Sequence, residues 1–200
     1  MASLSKLSGR MAGRIGPRFF LTAGPFIAAA GFLLFVLLPN GSYVVSVLPA
    51  MVVLGAGLGI AVAPLTATVL NSVDHRNQGT ASGINNAIAR IAGLLAIAVL
   101  GIVATGVFDR RLDAQLRAAR IPEATRQQLL SERGKLGALQ APKGTPEDQA
   151  RVISHAVAAS LDRAFRMLAL GCCGLAVLSA AGGLIGIRPG ARTTGGSKRA

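Results

Sequence analysis

The chain has 200 residues, of which 52% are apolar and only 14% are charged, whereas soluble globular proteins carry about 25% charged residues. Its formal net charge is +13, and the charges are concentrated in short stretches that separate long uncharged segments. A helix of about 20 apolar residues matches the hydrocarbon core of a bilayer. The composition therefore excludes an ordinary soluble domain and predicts an all-α integral membrane protein.

The excess of basic residues does not favour nucleic-acid binding. Lysine and arginine flank membrane spans on the cytoplasmic side, and here they are not interleaved with aromatic residues, as stacking on bases would require. The sequence contains no nucleophile, metal-ligand or phosphate-binding constellation, so we expect no enzymatic activity, no cofactor and no metal site. Cys172 and Cys173 are adjacent and are interpreted as small packing residues.

Four membrane spans are predicted in chain order. Residues 1–18 form a basic cytoplasmic segment with four positive charges and no negative one. Three apolar segments then follow within residues 19–108, and polar turns separate them. The predicted spans in this region are residues 19–38, 43–70 and 83–108.

Residues 109–166 have a different composition, with eleven positive and seven negative charges and several proline and glycine breakers. This segment is predicted to be a long extracytoplasmic loop that is partly helical. Residues 167–187 are the fourth predicted span, and residues 188–200 are a basic tail that we expect to be disordered because it is rich in Gly, Ser and Thr.

Small residues recur along two of the spans. Gly55, Gly59 and Ala63 are four residues apart, which places them on one helix face and lets a neighbouring helix approach closely. Gly182 and Gly186 have the same spacing in the fourth span. We interpret both sets as helix-packing residues, although a stripe of small residues can also serve the passage of a substrate.

The third span begins with polar residues. Asn85, Asn86 and Arg90 lie at its start, and Asn86 and Arg90 share a helix face because they are four residues apart. Arg90 is expected at or just inside the membrane boundary, where it either extends to the surface or faces a water-filled cavity. These three residues are the candidate lining of a substrate cavity, and the two alternatives for Arg90 stay open.

An even number of spans places both termini on one side of the membrane. Positive charges in short segments mark the cytoplasmic side, and residues 1–18, Arg76 and the tail are basic, whereas the turn after the first span has no charge. The prediction is a multi-pass protein of the plasma or inner membrane with both termini in the cytoplasm.

Residues 9–20 (GRMAGRIGPRFF) resemble the cytoplasmic loop signature of the major facilitator superfamily. Residues 54–70 (LGAGLGIAVAPLTATVL) and 78–90 (QGTASGINNAIAR) are similar to later helices of its fourteen-helix drug:proton antiporter branch. The positions that carry the loop signature are Gly9, Arg10, Arg14, Gly16 and Arg18.

The resemblance implies multidrug efflux by proton antiport, with a drug-like small molecule as substrate and the lipid bilayer as surroundings. It also implies a partial C-terminal bundle of the superfamily, since the family has twelve or fourteen spans. Gly13 stands where the family has an acidic residue, and no Asp or Glu lies within the four predicted spans. We therefore expect a truncated segment that does not transport alone.

Two other functions are compatible with four spans. A small exporter that works as a dimer needs an acid within the membrane and short loops, and this chain has neither. The alternative function is that of a small non-transporting membrane protein that packs against or regulates a partner membrane protein. In the transporter interpretation, the partner is instead the missing transporter half.

Overall fold

The computed structural model describes residues 17–38, 43–142 and 144–186, and the regular elements in these ranges are helices. The α-helices are α1 (Pro17–Leu37), α2 (Tyr43–Ser46), α3 (Leu48–Asn71), α4 (Gln78–Ala118), α5 (Glu123–Ser131) and α6 (Glu147–Gly186), and short 3-10 helices lie at His75–Asn77 and Arg133–Ala138.

Four of these helices, α1, α3, α4 and α6, are long and apolar enough to cross a membrane. This finding confirms the predicted fold class, an all-α membrane protein with about four spans and a partly helical segment before the last one. The basic segment up to residue 16 and the tail from residue 188 lie outside the described residues.

Two compact units divide the described chain. The first contains residues 17–91 together with residues 170–186, and the second contains residues 92–169. Both α4 and α6 contribute residues to each unit, because each is one continuous helix that crosses the boundary between them.

The first unit is held by a close contact between α1 and α3. A Cβ atom added to Gly57 would lie 2.5 Å from the backbone nitrogen of Ala28 and 2.7 Å from the carbonyl oxygen of Gly24. On the α1 side, a Cβ atom at Gly31 would lie 2.7 Å from the backbone nitrogen of Leu54. The two backbones therefore touch at positions where only glycine fits, as in other close contacts between membrane helices.

The end of α6 also contacts α1 within the first unit. A Cβ atom at Gly183 would lie 2.7 Å from the carbonyl oxygen of Leu21. A larger residue at this position would push the two helices apart, so glycine permits a second close approach to α1.

The second unit has a conventional hydrophobic core. Phe108, Leu112 and Leu116 of α4 are fully buried with Ile153 of α6, and Leu129 of α5 packs into the same cluster. Burying one such side chain stabilises the folded state by about 1.5–3 kcal/mol. The charged segment before the last span is therefore a small folded unit with α5 docked on it.

An ion-pair group joins α5 to α4 at the surface of this core. The guanidinium of Arg126 lies 2.6 Å from Glu123 and 3.5 Å from the Asp113 carboxylate, which also pairs with Arg117 at 2.9 Å. Partly exposed pairs of this kind contribute only about 0–1 kcal/mol each. The group thus fixes the position of α5, while the apolar cluster supplies most of the stability.

The α1–α3 contact generates a stability prediction. Gly57→Ala is expected to lower the free energy of unfolding by about 1–3 kcal/mol, because the methyl group meets backbone atoms that cannot move without separating the helices. Denaturant titration of the detergent-solubilised protein, followed by circular dichroism, measures this change.

Gly101→Ala is the matched control, since a Cβ atom at Gly101 meets nothing within 4 Å. Alanine forms helices better than glycine by about 1 kcal/mol, so this variant should be as stable as the parent or slightly more stable. Equal effects at positions 57 and 101 would contradict the close contact.

Candidate functional site

The polar residues at the start of the third span lie on α4. Asn86 and Arg90 are exposed, and Asn85 is half-buried. Among the described residues, no ion pair includes Arg90. Eighteen residues separate Arg90 from Phe108, or about 27 Å along the helix at 1.5 Å per residue. This length is close to the hydrocarbon thickness of about 30 Å, so Arg90 lies near one boundary when Phe108 lies near the other.

Beside this polar face, α4 exposes a large apolar surface. Ile97 and Ile102 are both 73% exposed, and Leu94 and Leu95 are more than half exposed. Little of the span is covered by the rest of the described chain, so lipid or helices from outside it must cover this surface in a membrane. Asn86 and Arg90 are thus polar groups on the edge of an apolar surface that the described chain leaves open.

The predicted packing residues of α3 lie close to the observed contact but do not coincide with it. Gly59 is buried, and Gly55 and Ala63 are half-buried. The close approach to α1 that the structure defines is centred on Gly57, with Ala61 next to Gly24. The packing role of Gly55, Gly59 and Ala63 stays a prediction.

Sequence reasoning missed the glycines of α1 that make this contact. Gly24, Ala28 and Gly31 have the small-residue spacing that allows close approach, and this spacing could have identified them. In α6, none of the described residues lies within 4 Å of a Cβ atom added at Gly182 or Gly186, whereas Gly183 between them contacts α1.

The loop signature is only partly described. Gly9, Arg10, Arg14 and Gly16 lie outside the described residues. Arg18 is in the first turn of α1, is half-buried, and its carbonyl oxygen accepts a hydrogen bond of 2.9 Å from the Thr22 hydroxyl. This hydrogen bond lies within α1 and connects Arg18 to no other element. The role of the signature as a whole therefore stays a prediction.

Metal chemistry has no evident site in the described ranges. No group of three or more His, Cys, Asp or Glu side chains is placed there to hold a metal ion. Two acidic side chains near the membrane spans, Asp113 and Asp162, form ion pairs with arginines instead.

Comparison with known proteins relates these features to a family. Residues 1–97 match the sequence model of the Major Facilitator Superfamily. The chain is 30% identical over 132 residues to the multidrug resistance protein Stp of Mycobacterium tuberculosis, covering 66% of this chain and 24% of that protein. This similarity is longer than the family match and so extends beyond residue 97.

Two further relatives show the same level of similarity. The puromycin resistance protein pur8 of Streptomyces alboniger is 30% identical over 105 residues, which are 51% of this chain and 21% of that protein. A triacylglyceride transporter of Mycolicibacterium smegmatis is 32% identical over 137 residues, which are 64% of this chain and 24% of that protein. The chain thus spans about a quarter of the length of the relatives it matches.

The two alternatives for the α4 polar face make different predictions about water. If Asn86 and Arg90 face a water-filled cavity, a cysteine at position 94, one turn deeper on the same helix face, reacts quickly with a hydrophilic maleimide, because the reactive thiolate forms only in contact with water. We expect Leu94→Cys, at a position that is 69% exposed, to be labelled in membrane vesicles in a background with Cys172→Ala and Cys173→Ala.

Leu95→Cys is the matched control, since it is exposed on the same helix but surrounded by apolar residues. It should remain unlabelled until the membrane is dissolved in denaturant. Protection of both positions would show that lipid covers the polar face and would leave Arg90 as a residue that extends to the surface.

Proposed function

Because the chain belongs to the Major Facilitator Superfamily, we propose that its four spans form part of a transporter that exports small, largely apolar molecules by proton antiport. Proteins of this superfamily are membrane transporters rather than enzymes. The proposal adds the substrate class, the direction and the coupling ion to this general activity.

The observation that carries the proposal is the position of Asn86 and Arg90. Both are exposed on an α4 surface that is otherwise apolar. Polar residues within membrane segments are costly and face a bundle interior or a cavity, and transporters of this type bind substrate near the interface between helix bundles. An apolar wall with one arginine and two amides suits a molecule with a large apolar surface and few polar groups.

The names of the relatives support this substrate class. Two are drug resistance proteins, one of them for puromycin, and a third is a triacylglyceride transporter. Molecules as different as a drug and a triacylglyceride share an extensive apolar surface, which a wall of isoleucine and leucine can accept without a dense set of hydrogen bonds.

Proton coupling requires a group that titrates within the membrane. No Asp or Glu lies within residues 18–37, 44–70, 83–108 or 167–186. We therefore propose that the proton-carrying carboxylate belongs to helices outside these spans, which pack against the open surface of α4. These helices are the partner that the proposed transporter needs.

A second candidate function rests on the same open surface. The exposed leucines and isoleucines of α4 also suit a non-transporting protein that packs against another membrane protein and regulates it. This candidate requires a stable complex but no role for Arg90 in transport.

The proposed topology places both termini in the cytoplasm of a multi-pass protein of the cell membrane. It rests on the basic residues near the ends of the chain and on Arg76, because positive charges in short segments remain inside. The second unit, residues 92–169, then carries its charged portion on the outer side.

Transport is tested in proteoliposomes with ethidium as substrate and an imposed pH gradient. The 200-residue chain alone is expected to show no uncoupler-sensitive transport, because its spans lack a carboxylate. A complex purified with its partner helices should transport, and Arg90→Ala should lower its rate by about tenfold or more, equivalent to about 1.4 kcal/mol.

Arg110→Ala is the matched control, because Arg110 is an exposed arginine of α4 that follows the apolar span. Its rate should stay close to that of the parent. Coupled transport by the chain alone would refute the assignment of the carboxylate to other helices. A stable complex in which Arg90→Ala changes nothing would favour the regulatory candidate.

The topology has its own test at Gly134, which is exposed and has open space for a side chain. In a background without the two native cysteines, Gly134→Cys should react with a membrane-impermeant maleimide in intact cells. Labelling that appears only after lysis would reverse the topology.

A further inference from the structure

A shallow groove lies between α4 and α6 in the second unit. Its volume is about 420 Å³, and its lining residues are Gln115, Val152, His155, Ala156 and Ala159. Alanine and valine form an apolar floor, while the glutamine and the histidine supply polar groups. The groove therefore suits a ligand with both polar and apolar parts.

Two arginines stand at one end of this groove. Arg111 is four residues before Gln115 on α4, and Arg163 is four residues after Ala159 on α6. Residues four apart share a helix face, so both arginines are on the faces that line the groove. The chain leaves along α4 and returns along α6, which makes the two helices antiparallel and places Arg111 and Arg163 toward the same end.

This end of the groove is at the membrane boundary. The apolar sequence of the third span ends at Phe108, and that of the fourth begins at Met167. Arg111 is about 4.5 Å beyond the first of these residues and Arg163 about 6 Å before the second, at 1.5 Å per residue. The headgroup layer of a bilayer is about 5–8 Å thick on each side, so both guanidinium groups reach the depth of lipid phosphates.

Both arginines are available for an external anion. Arg111 and Arg163 are exposed, and neither forms an ion pair with any of the described residues. Two nearby carboxylates pair with other arginines, Asp113 with Arg117 and Arg126 and Asp162 with Arg166. Two exposed arginines without an ion pair among the described residues thus flank one end of the groove.

We propose that this end of the groove, formed by Arg111 and Arg163, binds the phosphate of an anionic phospholipid. The guanidinium groups make charge-assisted hydrogen bonds to the phosphate oxygens, as arginine does with phosphate generally. The polar headgroup extends into the groove toward Gln115 and His155. The acyl chains pass along Met167, which is one turn below Arg163 and 37% exposed.

A lipid fits this site better than a soluble anion, for two reasons. The arginines lie at the depth of the bilayer phosphates, where the local concentration of lipid headgroups is very high. The apolar residues on both sides of Arg163, Ala159 in the groove and Met167 in the span, contact the lipid and give a free phosphate nothing to bind.

Native mass spectrometry of the full chain in detergent tests the site. The protein is titrated with phosphatidylglycerol and, separately, with phosphatidylcholine of the same acyl chains. The parent should bind phosphatidylglycerol more tightly. Arg111→Gln and Arg163→Gln should each weaken this binding by about fivefold, since each basic residue at a membrane surface contributes about this factor.

Arg110→Gln is the matched control, because it removes the same charge from the neighbouring position of α4, which is not on the groove face. It should change the affinity by less than about twofold, and helix content measured by circular dichroism should be the same in all variants. A variant with Arg111→Lys and Arg163→Lys keeps the charges and should retain most of the binding.

Three results would overturn the proposal. One is equal affinity of the parent for the two lipids. Another is equal weakening by Arg110→Gln and Arg111→Gln, which would indicate non-specific attraction by net charge. The third is displacement of phosphatidylglycerol by glycerol phosphate at a comparable concentration, which would show that the site recognises a soluble anion.

Discussion

The close backbone contact between α1 and α3 is the constraint on which the first unit depends. Within a bilayer, lipid chains are as apolar as leucine side chains, so burial of apolar surface gives helices little reason to associate. Close packing of backbones replaces that driving force. This close packing requires glycine at positions 24, 31 and 57, because a methyl group there would meet backbone atoms. Gly183 allows the same kind of backbone contact between the end of α6 and α1.

The second unit is stabilised in the opposite way. Phe108, Leu112, Leu116 and Ile153 are fully buried in a cluster next to a charged, water-exposed surface, where burial of apolar side chains is favourable. α4 and α6 therefore each have one portion suited to lipid and one portion suited to water. Their apolar portions suit lipid, and their charged portions use the hydrophobic effect to hold α5 and the groove that ends at Arg111 and Arg163.

The uncovered surface of α4 connects the fold to its family. The described chain covers few of the isoleucines and leucines of this span, and the chain spans about a quarter of the length of its relatives. A polar pair, Asn86 and Arg90, lies on that surface. In the proposed transporter, further helices cover the apolar residues, bring the carboxylate that the four spans lack and close a cavity over the polar pair.

The sequence by itself determined which segments are suited to lipid and which are suited to water. Apolar length and the clustering of charges predict four spanning helices and the family resemblance, because these signals are local and need no knowledge of neighbours. The same reasoning located Asn86 and Arg90 on one face, since helical spacing is fixed. It selected the regular stripe of Gly55, Gly59 and Ala63 on α3, although the same helix offers a second small-residue face.

Only the tertiary structure decided which small residues touch. Gly57 meets Ala28 and Gly24 because of the rotation and the height of α3 relative to α1, and neither quantity is encoded in spacing along one helix. Likewise, the charges of residues 109–166 predict a polar loop, whereas its folded core depends on pairing Phe108 and Leu112 with residues some 40 to 50 positions later on α6. Contacts between distant segments depend on how two helices pack against each other, and the sequence of one helix does not specify that packing.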